Sequence, residues 1–590
     1  MKRISIVFVL TLGLFACNQS SKNKVDNSKF GTFLENYYQD QLKLSPLSAT
    51  MVGDDRYDDL LPNDGSVAYL QEWSKFNKSY LDSLKNYDRS SLNSNDQLSY
   101  DNLKYQLEMN IEGDQFHFEY MPFNQFVGLP LTFGQLGSGT SAQPFKTVKN
   151  YENWLKRMAA FSVWADTAIG NFKKGMASGI VLPRSLVIKA IPQMQGMVVS
   201  DVKKSLFYGP INLMPKDFSA ADKARLTKEY ENAIMTSIVP SYKKLGDFLQ
   251  NEYLPKARNE SGFAANTGGD RMYAYQVKVN TTTNKTPEEI YQTGLAEVAR
   301  IRKAMDSIKT VVGFKGDLKA FFQFMKTDKQ FMPYHEPKDV IAAFEKIHKT
   351  MQPNLKKMFL NEPKTPFEIR QTEAFRAESA SAEYNQGSAD GTRPGIFYVP
   401  ILDATQFNTT SGMESLFLHE AIPGHHYQIS LTQENTALPK FRRYGGHNAY
   451  IEGWALYCES LGKELGLYTD PYQYMGALGD EMHRAIRLVV DVAIHSKNMS
   501  REEAIKYMMD NEAISEQGAT AEIERYMAIP GQALGYKTGA MKIAALRKKY
   551  ESALGTKFNL ADFHNEVLKD GSLPLAVFEA KMDAWASSKK

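Results

Sequence analysis

From Phe30 to the C-terminus, apolar residues recur at intervals of three and four, and few stretches alternate in the manner of strands. That periodicity constrains the fold more than any other feature, because a chain with so few alternating segments cannot build an extensive sheet. The spacing predicts helices over 30–42, 67–87, 95–109, 147–174 and 220–253, and again from Ser411 to the end. Between 116 and 143 the chain is rich in Gly, Pro and aromatics and reads as a loop packed on the body. Thr286-Pro287-Glu288-Glu289 opens a further helix: Thr286 caps it, Pro287 suits its first position, and Glu289 closes a capping box. Tyr273 to Val279 has the alternation of a short strand, and Gly395-Ile-Phe-Tyr-Val399 has strand composition. The expected class is mainly α, a large helical body with a few short strands. The chain's 590 residues allow two or more domains. Gly262 to Asp270, rich in Gly and Asn, marks the expected division into an N-terminal helical subdomain (28–265) and a second helical subdomain (266–590).

The N-terminus carries an address. Lys2 and Arg3 precede an apolar run from Ile4 to Ala16, which is the layout of a signal peptide over 1–16. Leu14-Phe15-Ala16-Cys17 resembles the bacterial lipobox, in which the cysteine is lipidated and becomes the first mature residue. Residues 17–27 would then be a polar tether, and the protein would sit in the cell envelope, held to a membrane through Cys17. The alternative is a plain cleaved signal peptide. The second cysteine, Cys458, has no partner, so no disulfide framework is expected. Without Lys2 and Arg3 the chain has 68 basic and 67 acidic residues, and no basic stripe stands out. Such a balance argues against a nucleic-acid partner.

Chemistry concentrates in one region. Six of the ten histidines fall between His419 and His495. Ser411 and Glu414 form a predicted capping box that starts a helix carrying His419-Glu420. A His-Glu pair on a helix opens the H-E-x-x-H pattern, whose histidines share a helix face and whose glutamate reaches a metal-bound water. Here the fourth position after His419 is Pro423, and the next histidines are His425 and His426. In an unbroken helix His425 would lie about 120° around from His419, and His426 roughly 10 Å along the axis. Pro423 followed by Gly424 favours a local bulge. Looping out two residues would return His425 to the ligand place, and looping out three would return His426. The reading therefore prefers His425 and keeps His426 as the alternative. A helix that merely ends at Pro-Gly, with histidines near its end, is the plain structural reading.

A catalytic zinc needs a third protein ligand. Glu452 and Glu459 lie seven residues apart on an otherwise apolar helix, where carboxylates are costly unless paired or metal-bound. Glu452 suits a single zinc ion, and Glu459 suits orienting a ligand histidine. Arg487, Asp491 and His495 share a face of another apolar helix. They read either as an oriented Asp491–His495 pair with Arg484 or Arg487 gripping a substrate carboxylate, or as a structural ion-pair network. The Pro530-Gly531 break could present Arg525 or Tyr536 to a cleft, with Tyr536 as an oxyanion donor.

Taken together, His419-Glu-Ala-Ile-Pro-Gly-His-His-Tyr-Gln428, Glu452-Gly-Trp-Ala-Leu-Tyr457, Arg487-Leu-Val-Val-Asp491, Pro530-Gly-Gln-Ala-Leu-Gly-Tyr536, Ala389-Asp-Gly-Thr-Arg-Pro-Gly-Ile-Phe-Tyr-Val399 and Pro46-Leu-Ser-Ala-Thr-Met-Val-Gly53 resemble the bacterial domain-of-unknown-function 885 family. The resemblance spans nearly the whole mature chain. That family's site is in turn similar to helical gluzincin peptidases. Glu452-Gly-Trp-Ala resembles the Glu-Gly-Phe-Ala element of zinc aminopeptidases, and Gly424-His425 resembles the Gly-His ending of the oligopeptidase motif, here with a two-residue insertion. The resemblance implies a deep central cleft, a peptide substrate, and an edge strand near Arg393 and Tyr398 along which a peptide could lie. The expected mechanism, from the residues and the likeness together, has zinc on His419, His425 (alternatively His426) and Glu452, Glu420 as general base, and Tyr536 with His495 stabilising the oxyanion. Rival expectations are a non-catalytic peptide-binding lipoprotein, a metal-dependent hydrolase of esters or cell-wall amides, and a structural envelope lipoprotein.

Overall fold

The computed structural model describes residues 27–373, 381–387 and 393–590. Cys17, its lipobox and the start of the tether lie outside them. The described chain is mainly α, with one small sheet. Among the described residues no helix is long and apolar enough to cross a membrane.

Helices begin where local chemistry provides partners for their free N–H groups. Thr147 and Asn150 form a capping box ahead of the 31-residue helix Val148–Ser178. Thr286 and Glu289 do the same for α1 (Pro287–Val311), with Pro287 in its first turn. Three further helices, Asn27–Leu44, Val67–Leu84 and Ser94–Gly113, fall at the predicted spans. The expected helix over 220–253 is continuous, but two π-turns, Ile234–Ile238 and Leu249–Tyr253, interrupt its α geometry.

Two local readings are corrected. The Tyr273–Val279 alternation is helical: Gly269–Thr281 forms a helix whose buried residues are Gly269, Met272, Tyr273, Val277 and Thr281. Their spacing of three to four outweighs the coincidental alternation of Tyr and Val. The 116–143 segment contains the short helix Leu129–Gly137. Pro130 sits in its first turn, where a missing N–H is harmless. The Gly262–Asp270 segment is closely packed, since a β-carbon on Gly262 would lie 1.8 Å from the Ile494 carbonyl oxygen.

The sheet has strands β1 (Phe367–Gln371), β2 (Glu383–Asn385) and β3 (Gly395–Val399), in the order β1-β3-β2. β3 pairs parallel with β1 and antiparallel with β2, with Tyr384 opposite Phe397. The predicted peptide-binding edge strand at Arg393–Val399 is thus the central strand. Its continuous apolar run fits burial on both faces, and Phe397 packs against Phe344 and Phe417.

The candidate site rests on α3 (His425–Glu434), α4 (Asn448–Glu459), α5 (Pro471–Ser496), α6 (Glu516–Ala528) and α7 (Leu534–Leu554), with α2 (Pro337–Met358) behind the sheet. Helices α4 and α7 meet backbone to backbone. A β-carbon on Gly453 would lie 2.5 Å from Gly539 Cα, and one on Gly539 would lie 1.7 Å from the Ala449 carbonyl oxygen. That contact sets Glu452 of α4 and Tyr536 of α7 at a fixed spacing.

Candidate metal centre

The His419 segment does not start with the predicted capping box. Gly412 occupies the cap with φ of 78°, while Ser411 Oγ donates to the Asn408 carbonyl. Glu414 is drawn instead to the backbone N–H of Tyr468, 2.7 Å away. After one turn (Met413–Leu416) the backbone widens into a π-turn, Phe417–Ala421. The Ile422–Pro423 peptide is cis, and α3 then begins at His425. Gly424 passes so close to His419 that a β-carbon would lie 1.9 Å from the His419 carbonyl oxygen. Any other residue there would force the turn apart. Trp454 Nε1 donates to the Pro423 carbonyl at 2.9 Å, fastening the turn to α4.

The consequence is a convergence of donor atoms. The His419 and His425 rings lie 4.9 Å apart at 89°. Glu452 Oε2 lies 3.6 Å from Nε2 of each histidine. Ligand atoms of His419, Glu420 and His425 all lie within 4.8 Å of one another. Contacts of 3.6 Å are too long for good hydrogen bonds. Tetrahedral zinc, with bonds of about 2.0–2.2 Å, separates its ligand atoms by roughly 3.3–3.5 Å, close to the two separations that Glu452 makes. His419 Nδ1 bonds Glu459 Oε1 at 2.7 Å, which turns Nε2 toward the shared centre. Burial opposes a charge on His419, but Glu452, Glu459 and Glu420 outweigh it and hold the ring's pKa up to about 10. A cation on Nε2, proton or metal, answers that acidic surround. Burial likewise raises the Glu452 carboxyl, yet its contact with His419 and the charges of His425, His419 and Arg487 bring it down to about 2. His425 is depressed, chiefly by burial.

His426 turns away. Its Nδ1 bonds the Tyr384 hydroxyl at 3.0 Å, and it lines a separate cleft of about 650 Å³ with Glu345, His348 and Phe367. Burial drives its pKa down to about 4. Between the two histidines left open by the spacing, His425 is the one brought to His419 and Glu452.

The other predicted residues divide. Tyr536 is brought in: its ring lies 6.4 Å from that of His419, and the Arg487 guanidinium stacks on it at 4.5 Å. Arg525 Nη2 reaches the Tyr536 hydroxyl at 3.5 Å. His495 is not brought in. Its Nδ1 accepts the Phe263 N–H and its Nε2 donates to the Tyr526 carbonyl, so no ring nitrogen is left for an oxyanion. Asp491 does not orient His495 either; it accepts from the Tyr273 hydroxyl at 2.6 Å and from the Gly531 N–H at 3.1 Å. Arg484 faces Glu459 and Asp480. Arg393 is exposed and donates to the Gln386 carbonyl, and Tyr398 lies near the end of β3.

Four participants carry no local sequence signal that marks them as part of a site. The N–H of Tyr384, on edge strand β2, donates to Glu420 Oε2 at 3.0 Å. Glu522 and Tyr526 hold Arg487, and His483 joins them. The i, i+4 spacing of Glu522 and Tyr526 and of His483 and Arg487 was visible, but their mutual approach depends on how α5 and α6 pack.

A family model described as "Bacterial protein of unknown function (DUF885)" matches residues 46–582. The chain belongs to that family. The fold recurs in a crystal structure described as a "putative lipoprotein" from Colwellia psychrerythraea, with TM-score 0.87 and 27% identity over 95% of this chain and 99% of that one. A second structure, described as "a putative lipoprotein of unknown function" from Shewanella oneidensis, has TM-score 0.74 and 22% identity over 93% of this chain and 99% of that one. No curated protein matches the chain.

Proposed function

We propose that this DUF885 protein is a zinc-dependent peptidase of the cell envelope, with a site of the gluzincin type. The observation that carries the reading is the meeting of His419 Nε2, His425 Nε2 and Glu452 Oε2 with Glu420 alongside. Zinc bound there would acidify a water and polarise a carbonyl. Glu420 receives the proton of the attacking water and returns it to the leaving amine. The Tyr536 hydroxyl donates to the oxygen on which charge develops. Glu459 keeps His419 in the tautomer that leaves Nε2 free for the metal. Anchoring through Cys17 completes the proposal, supported by the lipobox and by the lipoprotein descriptions of both structural relatives. Cys17→Ser should move the protein from the membrane fraction to the soluble one.

Glu420→Gln tests the chemistry. It should cut peptide hydrolysis at least about a hundredfold while zinc stays bound. A zinc-replete Gln variant with full activity contradicts the assignment. Chelator-sensitive cleavage of esters but not peptides would move the substrate class and leave the centre intact.

A further inference from the structure

Beside the ligand cluster lies a group of buried charges that the hydrolytic reading leaves unused. Arg487, on α5, is 5% exposed. Its Nε donates to the Tyr526 hydroxyl at 2.9 Å and its Nη2 to Glu522 Oε2 at 3.1 Å. Its guanidinium lies over the Tyr526 and Tyr536 rings, and its Nη1 is buried with no partner among the described residues. Arg525, on α6, donates to Gln532 Oε1 at 2.9 Å and lies 3.5 Å from Glu522 Oε1.

Both guanidiniums therefore draw on one carboxylate. Glu522 Oε2 is claimed further by the Tyr526 hydroxyl at 2.6 Å and by His483 Nε2 at 3.2 Å. His483 has its own counter-charge in Glu512, 2.9 Å away. Arg484 has Glu459 and Asp480. Glu452 feels Arg487 but faces both ligand histidines. One positive charge thus remains unanswered beside Tyr536, and the buried Arg487 Nη1 and Arg484 Nε have no hydrogen-bond partner among the described residues. Buried charges and donors persist where something else answers them.

Resting on the hydrolytic reading, we infer that Arg487 and Arg525 receive a carboxylate of the substrate next to Tyr536. Guanidinium–carboxylate pairs are the strong, geometrically specific form of this contact. The carboxylate comes either from a peptide's C-terminus or from an acidic side chain near the scissile bond. Either source makes substrate charge a determinant of specificity at this site.

The test uses full-length, zinc-loaded protein carrying Glu420→Gln and N-terminally fluorescein-labelled tripeptides. Three forms are compared by anisotropy: free C-terminus, C-terminal amide, and amide with Glu as the last residue. At least one of the two carboxylate-bearing forms, the free acid or the Glu amide, should bind about tenfold or more tightly than the plain amide. Tight binding of the Glu amide assigns the role to a side chain, and weak binding assigns it to the terminus. Arg525→Gln, at a side chain 23% exposed, should lower the tighter carboxylate-bearing form to the plain amide's affinity and leave the plain amide unchanged. Equal binding of all three forms, no binding of any, or an equal loss for all in Arg525→Gln overturns the inference. Peptide cleavage by the unmutated protein separates the two claims. Acid-selective binding without chelator-sensitive cleavage sinks only the hydrolytic reading. Cleavage indifferent to the carboxylate sinks only this one.

Discussion

Two buried clusters of this protein contain the same kinds of residue and do opposite things with them. Around His495, both ring nitrogens, the Asp491 carboxylate and the Tyr273 hydroxyl have hydrogen-bond partners within the fold. Around His419, the Nδ1–Glu459 bond is equally complete, but Nε2 of two histidines and a glutamate oxygen face one another without closing any hydrogen bond. Histidine and carboxylate on a buried helix therefore do not by themselves mark a site. Ligand atoms that converge at separations too long for a good hydrogen bond do, because burial makes such an arrangement costly unless a cation completes it.

The largest expected effect breaks this comparison at adjacent residues. His425→Ala should abolish stoichiometric zinc binding, whereas His426→Ala should leave zinc content at wild type and remove only the contacts with Tyr384, Ser430 and Phe367. Metal analysis of the two purified variants decides, and equal zinc content would erase the distinction. A smaller effect is expected in the satisfied cluster. Burial first, against the hydrogen bonds of Tyr273 and Gly531 and the charge of Arg487, pushes the Asp491 carboxyl up to about 7. Its unfolded value is near 3.9. The folded chain then binds the proton more tightly, so stability falls as pH rises from about 4 to 7 and levels off above, by at most about 1.4 kcal/mol per unit. Asp491→Asn removes that slope. Urea unfolding at pH 5, 6, 7 and 8 should show wild type losing ground to Asn up to pH 7, with zinc binding unchanged in both. A stability difference independent of pH would show that Asp491 is ionised throughout.

Parts of the fold and of the candidate site were legible because their signals are local. The capping box at Thr286 and Glu289, the bulge implied by Pro423-Gly424, and Glu452 on an apolar helix are short-range patterns. What escaped depends on tertiary register. Tyr384 is the middle of a three-residue strand, too short for a periodicity, and it reaches Glu420 only because β2 pairs with β3. Arg393–Val399 had strand composition, but composition does not tell an edge from a centre. His495 fell on the predicted helix face, yet that face turns toward Phe263 and Tyr526, away from the ligands. The helix Gly269–Thr281 was hidden behind an accidental alternation of Tyr and Val.

The π-turn and Gly424 bring His425 to the place of a ligand on Pro423's far side. Calorimetric titration of metal-stripped protein with zinc tests it most directly. One zinc should bind per chain in the wild type and in His426→Ala, and none in His419→Ala, His425→Ala or Glu452→Gln. No zinc uptake by the wild type, or undiminished uptake by the His425 and Glu452 variants, would contradict the account.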